Sequence, residues 1–316
     1  MLRSTLGLST YTLSVFVKLI GEFLKSKTLV RRRHRQLLLF TSPALTFFLL
    51  FAVFPLLSTI YISFYQEDVF VGLKNFEFLF TNDEASERLL YAFLHNVQFF
   101  LIAASVQLPT ALCMAALLTS GRVRRMTSFY RTLLFIPTTL SVVIVGFIWR
   151  LIIHPLWGIV DYPLLGEAAT ALPTITLMSV WQYLGIPMVF LYSALISIPS
   201  NIIEAAQVDG ASDLRIFFRI KIPLIAPQIG IITILTFIWI FNAFDIIYAL
   251  NGGAPGPDYA TDVLGTLFYR TFFGWGPDLG NQNLGAATAT VIFFIILFGT
   301  AVYFATVQRR LKASQL

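Results

Sequence analysis

Apolar residues in this chain run on without alternating with polar ones. Six long stretches, about 37–64, 89–118, 129–153, 173–198, 222–250 and 285–307, are almost free of charge. A helix needs about 20 such residues to cross a hydrocarbon core. The period-two alternation of a barrel strand is missing, so the stretches predict six transmembrane helices of an all-α membrane protein. Pro43, Pro55, Pro109, Pro137 and Pro187 fall inside them. Each removes a backbone donor, which a bundle tolerates where a neighbour re-satisfies the freed carbonyl.

The polar positions between the runs set the topology. Arg31, Arg32, Arg33 and Arg35 precede the first stretch, and Arg122, Arg124, Arg125 and Arg131 follow the second. Arg215, Arg219 and Lys221 precede the fifth, and Arg309, Arg310 and Lys312 follow the sixth. The other connections hold only Lys74 and Arg88, then no basic residue between 154 and 172, then Arg270. Basic residues stay on the cytoplasmic side, so this alternation puts both termini in the cytoplasm of a multi-pass membrane chain. Residues 1–36 form a separate segment. There Val15, Phe16, Leu19, Ile20, Phe23 and Leu24 share a helical face opposite Lys18, Glu22 and Lys25, the pattern of an interfacial helix. A signal peptide is the competing reading, but no small-residue cleavage site follows, and the arginines at 31–35 would sit on the wrong side. The membrane domain is then 37–307, with a cytoplasmic tail at 308–316.

Composition agrees with the patterning. Apolar residues make up 57% and charged residues 12%, against about 45–50% and about 25% in a soluble domain. The mean hydropathy is +0.78. Cys113 is the single cysteine, so the chain holds no internal disulfide. The net charge of +6 would suggest nucleic acid in a soluble protein, but here it marks membrane sides, and no nucleic-acid partner is expected.

One connection breaks the pattern. "EAAQVDGASDLRIFFRIKIP", residues 204–223, packs Glu204, Asp209, Asp213, Arg215, Arg219 and Lys221 between two oily stretches. Such charges cost roughly 2.5–3.5 kcal/mol each at a bilayer centre, so the segment lies outside it. Asn201 and Glu204 have capping-box spacing for a short helix. Ala205 and Ala206 allow close approach of another surface, Gly210 offers a positive-φ stop, and Ser212 can cap a second helix. The expected shape over 200–221 is helix, glycine turn, helix.

The spacing of Glu204-Ala205-Ala206, Gly210, Ile220 and Ile222-Pro223 resembles the EAA motif of permease subunits in binding-protein-dependent ATP-binding-cassette importers. Isoleucine stands at 222 where leucine is commoner. "VGLKNF" (71–76), "RTLLFIPTTLSVVIVGFIW" (131–149), "FDIIYALNGGAPG" (244–256) and "TLFYRTFF" (266–273) extend the resemblance to the carbohydrate-type subfamily, the maltose and glycerol-phosphate permeases. Two features depart from it: Ala254 interrupts the usual G-G-G-P after the fifth stretch, and residues 274–285 lengthen that loop.

The resemblance implies a six-helix type I importer core. Glu204, Ala205, Ala206, Asp209, Gly210 and Ala211 would then dock on an ATPase. It also implies a second homologous permease, two ATPase subunits holding ATP and Mg, an external solute-binding protein, and a carbohydrate or sugar-like substrate. Another compatible solute is the alternative.

Nothing in the chain predicts catalysis. No G-x-x-x-x-G-K-[ST] phosphate loop is present, and His34, His95 and His154 are isolated, without metal-ligand spacing. An intramembrane enzyme and an ion-coupled secondary transporter are the rival classes, the latter supported only by Asp245. Polar residues within spans are expensive and tend to face an interior. Trp239, Asn242 and Asp245 recur at i, i+3 and i+6, which predicts one face of helix five. Trp181, Gln182 and Tyr183 cluster in helix four. Amide beside aromatic suits a sugar, whose hydroxyls bond the amide while its C–H face packs on the ring. Interhelical glue is the plainer explanation, favoured for Trp181 and Gln182.

Overall fold

The computed structural model describes residues 39–120, 126–276 and 278–308; the interfacial helix expected in 1–36, Arg122, Arg124 and Arg125, and the tail from 309 lie outside these residues. The chain divides into two compact units, 1–59 and 60–316. In the first, α1 (Leu39–Ile62) begins and holds Phe40, Phe47 and Phe51 exposed. A π-helical turn at Leu49–Val53 precedes Pro55, whose ring leaves no donor for the normal ladder.

The second unit opens with a small hairpin, β1 (Tyr65–Gln66) and β2 (Val69–Phe70), paired antiparallel. Asn75 on α2 (Lys74–Thr81) is buried and donates from Nδ2 to the carbonyls of Ser63 and Tyr65 at 2.9 and 2.8 Å. Then comes α3 (Asp83–Thr119), the central element, with Asn82 as N-cap accepting from the Ala85 amide. Its buried face, Leu89, Ala92, Asn96, Phe99, Ala103, Gln107, Ala111, Ala115 and Leu118, recurs every three to four residues. Four of the nine are alanines, which lets neighbouring helices close on it by packing alone. One buried cluster centres on Phe99, Leu172, Ile240 and Ile247; another joins Ala111, Met188, Leu191 and Ile225.

Stretches two and six are uninterrupted helices, α3 and α13 (Gln282–Tyr303). The three between them are not. Stretch three is α4 (Thr127–Thr139) and α5 (Val142–Ile152), bent by 94°; stretch four is α6 (Ala168–Tyr183) and α7 (Gly185–Ile196), bent by 49°. The connection at 200–221 is α8 (Ser200–Val208), and α9 (Asp213–Leu224) meets α10 (Ala226–Phe241) at 65°. A further break separates α10 from α11 (Asp245–Asn251). Six membrane crossings result when each bent pair counts as one.

Side chains from other helices accept the consequences of these breaks. Pro187 has no N–H for the Tyr183 carbonyl four residues earlier, and Gln107 Nε2 donates to that carbonyl at 3.2 Å. Thr138 Oγ1 donates to the Gln182 carbonyl at 3.0 Å, and Gln182 Nε2 to the Leu140 carbonyl at 3.2 Å. Asn96 Nδ2 donates to the Ile240 carbonyl at 2.7 Å, while its Oδ1 accepts from the Leu264 amide at 2.8 Å. Gly185 sits where α7 crosses α4 so closely that a Cβ would lie 2.8 Å from the Phe135 Cα. The carbonyls of Tyr183, Gln182, Leu140 and Ile240 thus have side-chain donors from other elements, as a bilayer interior demands.

After α11, Gly252 closes the helix at φ +63. A loop leads to α12 (Leu264–Phe273), the short pair β3 (Gly274–Trp275) and β4 (Asp278–Leu279), and α13. Asp262 anchors this loop: its carboxylate pairs with Arg270, accepts from Thr266 Oγ1 at 2.7 Å, and its carbonyl accepts from His95 Nδ1 at 2.7 Å.

Candidate translocation face and coupling element

The charged element forms as helix, turn and helix, with one difference from expectation. Pro199 occupies the N-cap of α8, which places Asn201 inside the first turn. Its Oδ1 accepts from the Ile202 amide, so the box with Glu204 does not form. The C-terminal end is a Schellman motif: the Ala211 amide donates to the Ala206 carbonyl and the Gly210 amide to that of Gln207, both at 3.0 Å. Gly210 sits at φ +77 with nothing within 4 Å of the place a Cβ would take. Ser212 Oγ then caps α9, accepting from the Arg215 amide at 3.4 Å. Glu204, Ala205, Asp209, Asp213, Arg215 and Arg219 are exposed, whereas Ala206 is buried and Ala211 is half-buried. Three apolar side chains stand out among these charges: Val208 at 88% exposure, Leu214 at 72% and Phe218 at 62%.

The residues expected on one face of helix five do not share a helix. Asn242 is the C-cap of α10, and Asp245 opens α11. They nonetheless remain open together: Trp239, Asn242, Asp245 and Tyr248 are exposed, while Ile240, Phe241, Ala243, Ile246 and Ile247 are buried. Trp239 meets Tyr183 from the stretch-four break, with ring centres 4.7 Å apart, and Phe99 edge-on at 6.2 Å. The Asn242 amide nitrogen is occupied locally, donating to the Ile238 carbonyl at 2.8 Å. Trp239, Tyr183, Asn242 and Asp245 thus belong to one open patch.

Trp181 and Gln182 fall elsewhere. The Trp181 ring packs edge-on against Trp149 at 5.5 Å, and Gln182 is fully buried as the donor to Leu140. Trp181 stays 45% exposed, and the Gln182 Oε1 is buried without a hydrogen-bond partner. Sequence reading missed Asn96 and Gln107, buried amides three helical turns apart on α3. Their position inside an apolar run was the available signal.

Further along, Tyr248 lies edge-on to Tyr269 at 5.3 Å, and the interaction of their hydroxyls, with burial, holds the Tyr269 phenol above its ordinary pKa. A cavity of about 450 Å3 opens nearby, walled by Arg88, Tyr259, Arg270 and Trp275. Arg88 pairs with Glu84 and Arg270 with Asp262, while Arg270 Nη1 is buried without a hydrogen-bond partner. The open patch around Asn242, at the end of α10, is the candidate path.

A family model described as the binding-protein-dependent transport system inner membrane component matches residues 107–312. The chain belongs to this family. This inner membrane component is 31% identical over 278 residues to the probable ABC transporter permease protein YurN of Bacillus subtilis, covering 82% of this chain and 91% of that one. It is 27% identical to the osmoprotective compounds uptake permease protein GgtC of Synechocystis, covering 88% and 99%. Its fold matches a chain of the bacterial alginate ABC transporter in complex with an alginate pentasaccharide-bound periplasmic protein, with a TM-score of 0.77, 20% identity, and 89% and 96% covered. Family membership makes it the membrane subunit, not the ATPase, and a multi-pass protein of the inner membrane.

Proposed function

We propose that this component is one of two permease subunits of an importer for a carbohydrate or sugar-like solute. An external binding protein delivers the solute, and two ATP-binding-cassette subunits hydrolyse ATP, with Mg, on the cytoplasmic side. Both termini and Gly210 face the cytoplasm in this reading. The observation that carries it is the element at 200–224. Its exposed charges and knobs lie on a rigid Schellman turn, and its second helix joins α10 at the 65° bend with no intervening loop. The far end of α10 is Asn242. A displacement of Gly210 and its neighbours is therefore delivered along one lever to the open patch. Glu204, Ala205, Ala206, Asp209 and Ala211 shape the ATPase contact; Trp239, Asn242, Asp245 and Tyr183 line the path. The ATPase cycle biases an inward–outward equilibrium through the lever, which is how a remote event moves a gate.

A solved structure of like fold, from a transporter involved in the import of the acidic polysaccharide alginate, supports a carbohydrate cargo, while one relative is named for osmoprotective compounds. A non-sugar compatible solute is the second reading, on the strength of the latter name. Uptake of labelled sucrose, trehalose, maltose, glycerol 3-phosphate and glycine betaine by the assembled transporter decides between them.

The orientation has its own test. With the exposed Cys113 replaced by serine, a cysteine at Gln207 is expected to react with an impermeant maleimide only from the cytoplasm, and one at Asp68 only from outside. Labelling from the opposite side at either position overturns the topology. The path is tested by Asn242→Ala. Losing one hydrogen bond to a neutral group costs about 0.5–1.5 kcal/mol, so uptake should fall several-fold while ATPase activity without substrate persists. Unchanged uptake with a lowered melting temperature would assign the residue to helix packing instead.

A further inference from the structure

The open patch does not end at Asp245. One helical turn on, Tyr248 is 38% exposed, and Phe244 joins it to Tyr269 at ring distances of 5.0 and 5.1 Å. Phe273, 63% exposed, lies 5.0 Å beyond Tyr269. Gly253 explains how a further ring joins them. It holds φ +87, and a Cβ there would stand 3.1 Å from the Tyr248 ring and 3.2 Å from that of Trp275. The missing side chain lets both rings close over the backbone, leaving Trp275 42% exposed. Beneath Tyr248, Ile246, Ile247 and Leu250 are buried in the core, so the rings rest on a rigid base.

Aromatic rings at a membrane interface are often simple anchors. This group differs because it continues into polar groups: Asp245 and Asn242 lie between it and the Trp239–Tyr183 pair. A π-face followed by a hydrogen-bonding group, repeated along an open surface, complements a pyranose, which has an apolar C–H face and a rim of hydroxyls. We propose that Tyr248, Tyr269, Phe273 and Trp275 form an outer carbohydrate subsite, where a pyranose ring rests face-on before passing inward to Asn242. This rests on the reading of the protein as a sugar permease and adds a second station at the end of stretch five away from Gly210.

Because the external binding protein sets the concentration of sugar at the mouth, a weakened ledge shows as sugar lost per cycle rather than as a changed half-saturation. The experiment uses the assembled transporter in proteoliposomes with its binding protein, and measures sugar imported per ATP hydrolysed for sucrose, trehalose and maltose. Tyr248→Leu keeps apolar bulk and removes the ring; Tyr248→Phe keeps the ring. For whichever sugar the parent carries, Tyr248→Leu is expected to lower the ratio about three- to tenfold, the range of an aromatic packing interaction. Tyr248→Phe should stay within about twofold of the parent, and binding-protein stimulation of the ATPase should be unchanged in both. Equal behaviour of the two variants overturns the subsite. Lost ATPase stimulation also overturns it, since the ring would then be gripping the binding protein. A drop in Asn242→Ala with none in Tyr248→Leu removes the ledge and leaves the inner path standing; the reverse removes the inner site alone. Import of none of the three sugars overturns both.

Discussion

Gly210→Val is expected to abolish solute uptake, leaving less than about a tenth of the parental rate, while the protein still inserts and assembles. The reason is conformational and not steric. The space around the missing Cβ is empty, so valine meets no neighbour. It does meet the backbone: φ +77 is a region a β-branched residue avoids, at about 1–3 kcal/mol. Relieving that strain means opening the turn, which breaks the Gly210 and Ala211 hydrogen bonds and swings α8 against α9. The joint then presents its charges and knobs at the wrong angle. Gly210→Asn is the control, because asparagine tolerates left-handed backbone, and it should retain most uptake. ATPase activity of the assembled complex should fall together with uptake in Gly210→Val. If the valine variant transports at the parental rate, the element is not the coupling joint.

The second large effect is on folding. Asp262→Ala is expected to remove most of the folded protein from the membrane, measured as a detergent-extracted monodisperse fraction. Asp262 and Arg270 have side-chain exposures of only 4% and 8%, so deleting the acid strands a buried guanidinium. Breaking such a pair from one side costs about 3–5 kcal/mol, a large share of the roughly 5–15 kcal/mol that holds a domain together. Thr266 Oγ1 loses its shorter acceptor as well and keeps only the Val263 carbonyl at 3.0 Å. Replacing both partners with apolar residues, Asp262→Leu with Arg270→Met, should recover much of the yield, since no charge is left uncompensated. Failure of the double variant to exceed the single one would show that the pair acts through more than mutual neutralisation.

How much of this is legible in the sequence depends on what each feature rests on. The apolar stretches were plain because burial in lipid is a property of composition, and α3 and α13 begin and end near the expected positions. The breaks were not, because hydropathy says nothing of backbone direction. Proline alone did not mark them either: Pro109 sits inside the unbroken α3, while Pro187 follows the 49° bend. At Pro187, Gln107 on another helix takes up the carbonyl, and that is a long-range fact.

The glycine turn was readable, since few residues other than glycine suit a positive-φ stop. The Asn201 cap was misread because Pro199 starts α8 before it. On stretch five, the three-residue spacing does not mark one helical face, because the helix is interrupted at Asn242, although Trp239, Asn242 and Asp245 are all exposed. Asp262 went unnoticed because its partner Arg270 lies eight positions on and looked like an isolated loop charge.

The staples at the breaks also carry an order in time. A ribosome releases the chain from its N-terminus, so Asn96 and Gln107 enter the bilayer before the carbonyls of Ile240 and Tyr183 that they serve. Those bends find their donors already waiting. Leu140 is the reverse case, for its donor, Gln182, is synthesised some forty residues later. Until then the right-angle turn between α4 and α5 has an open acceptor that must remain near water or lipid headgroups. The bend of the third crossing is therefore completed only when the fourth supplies Gln182.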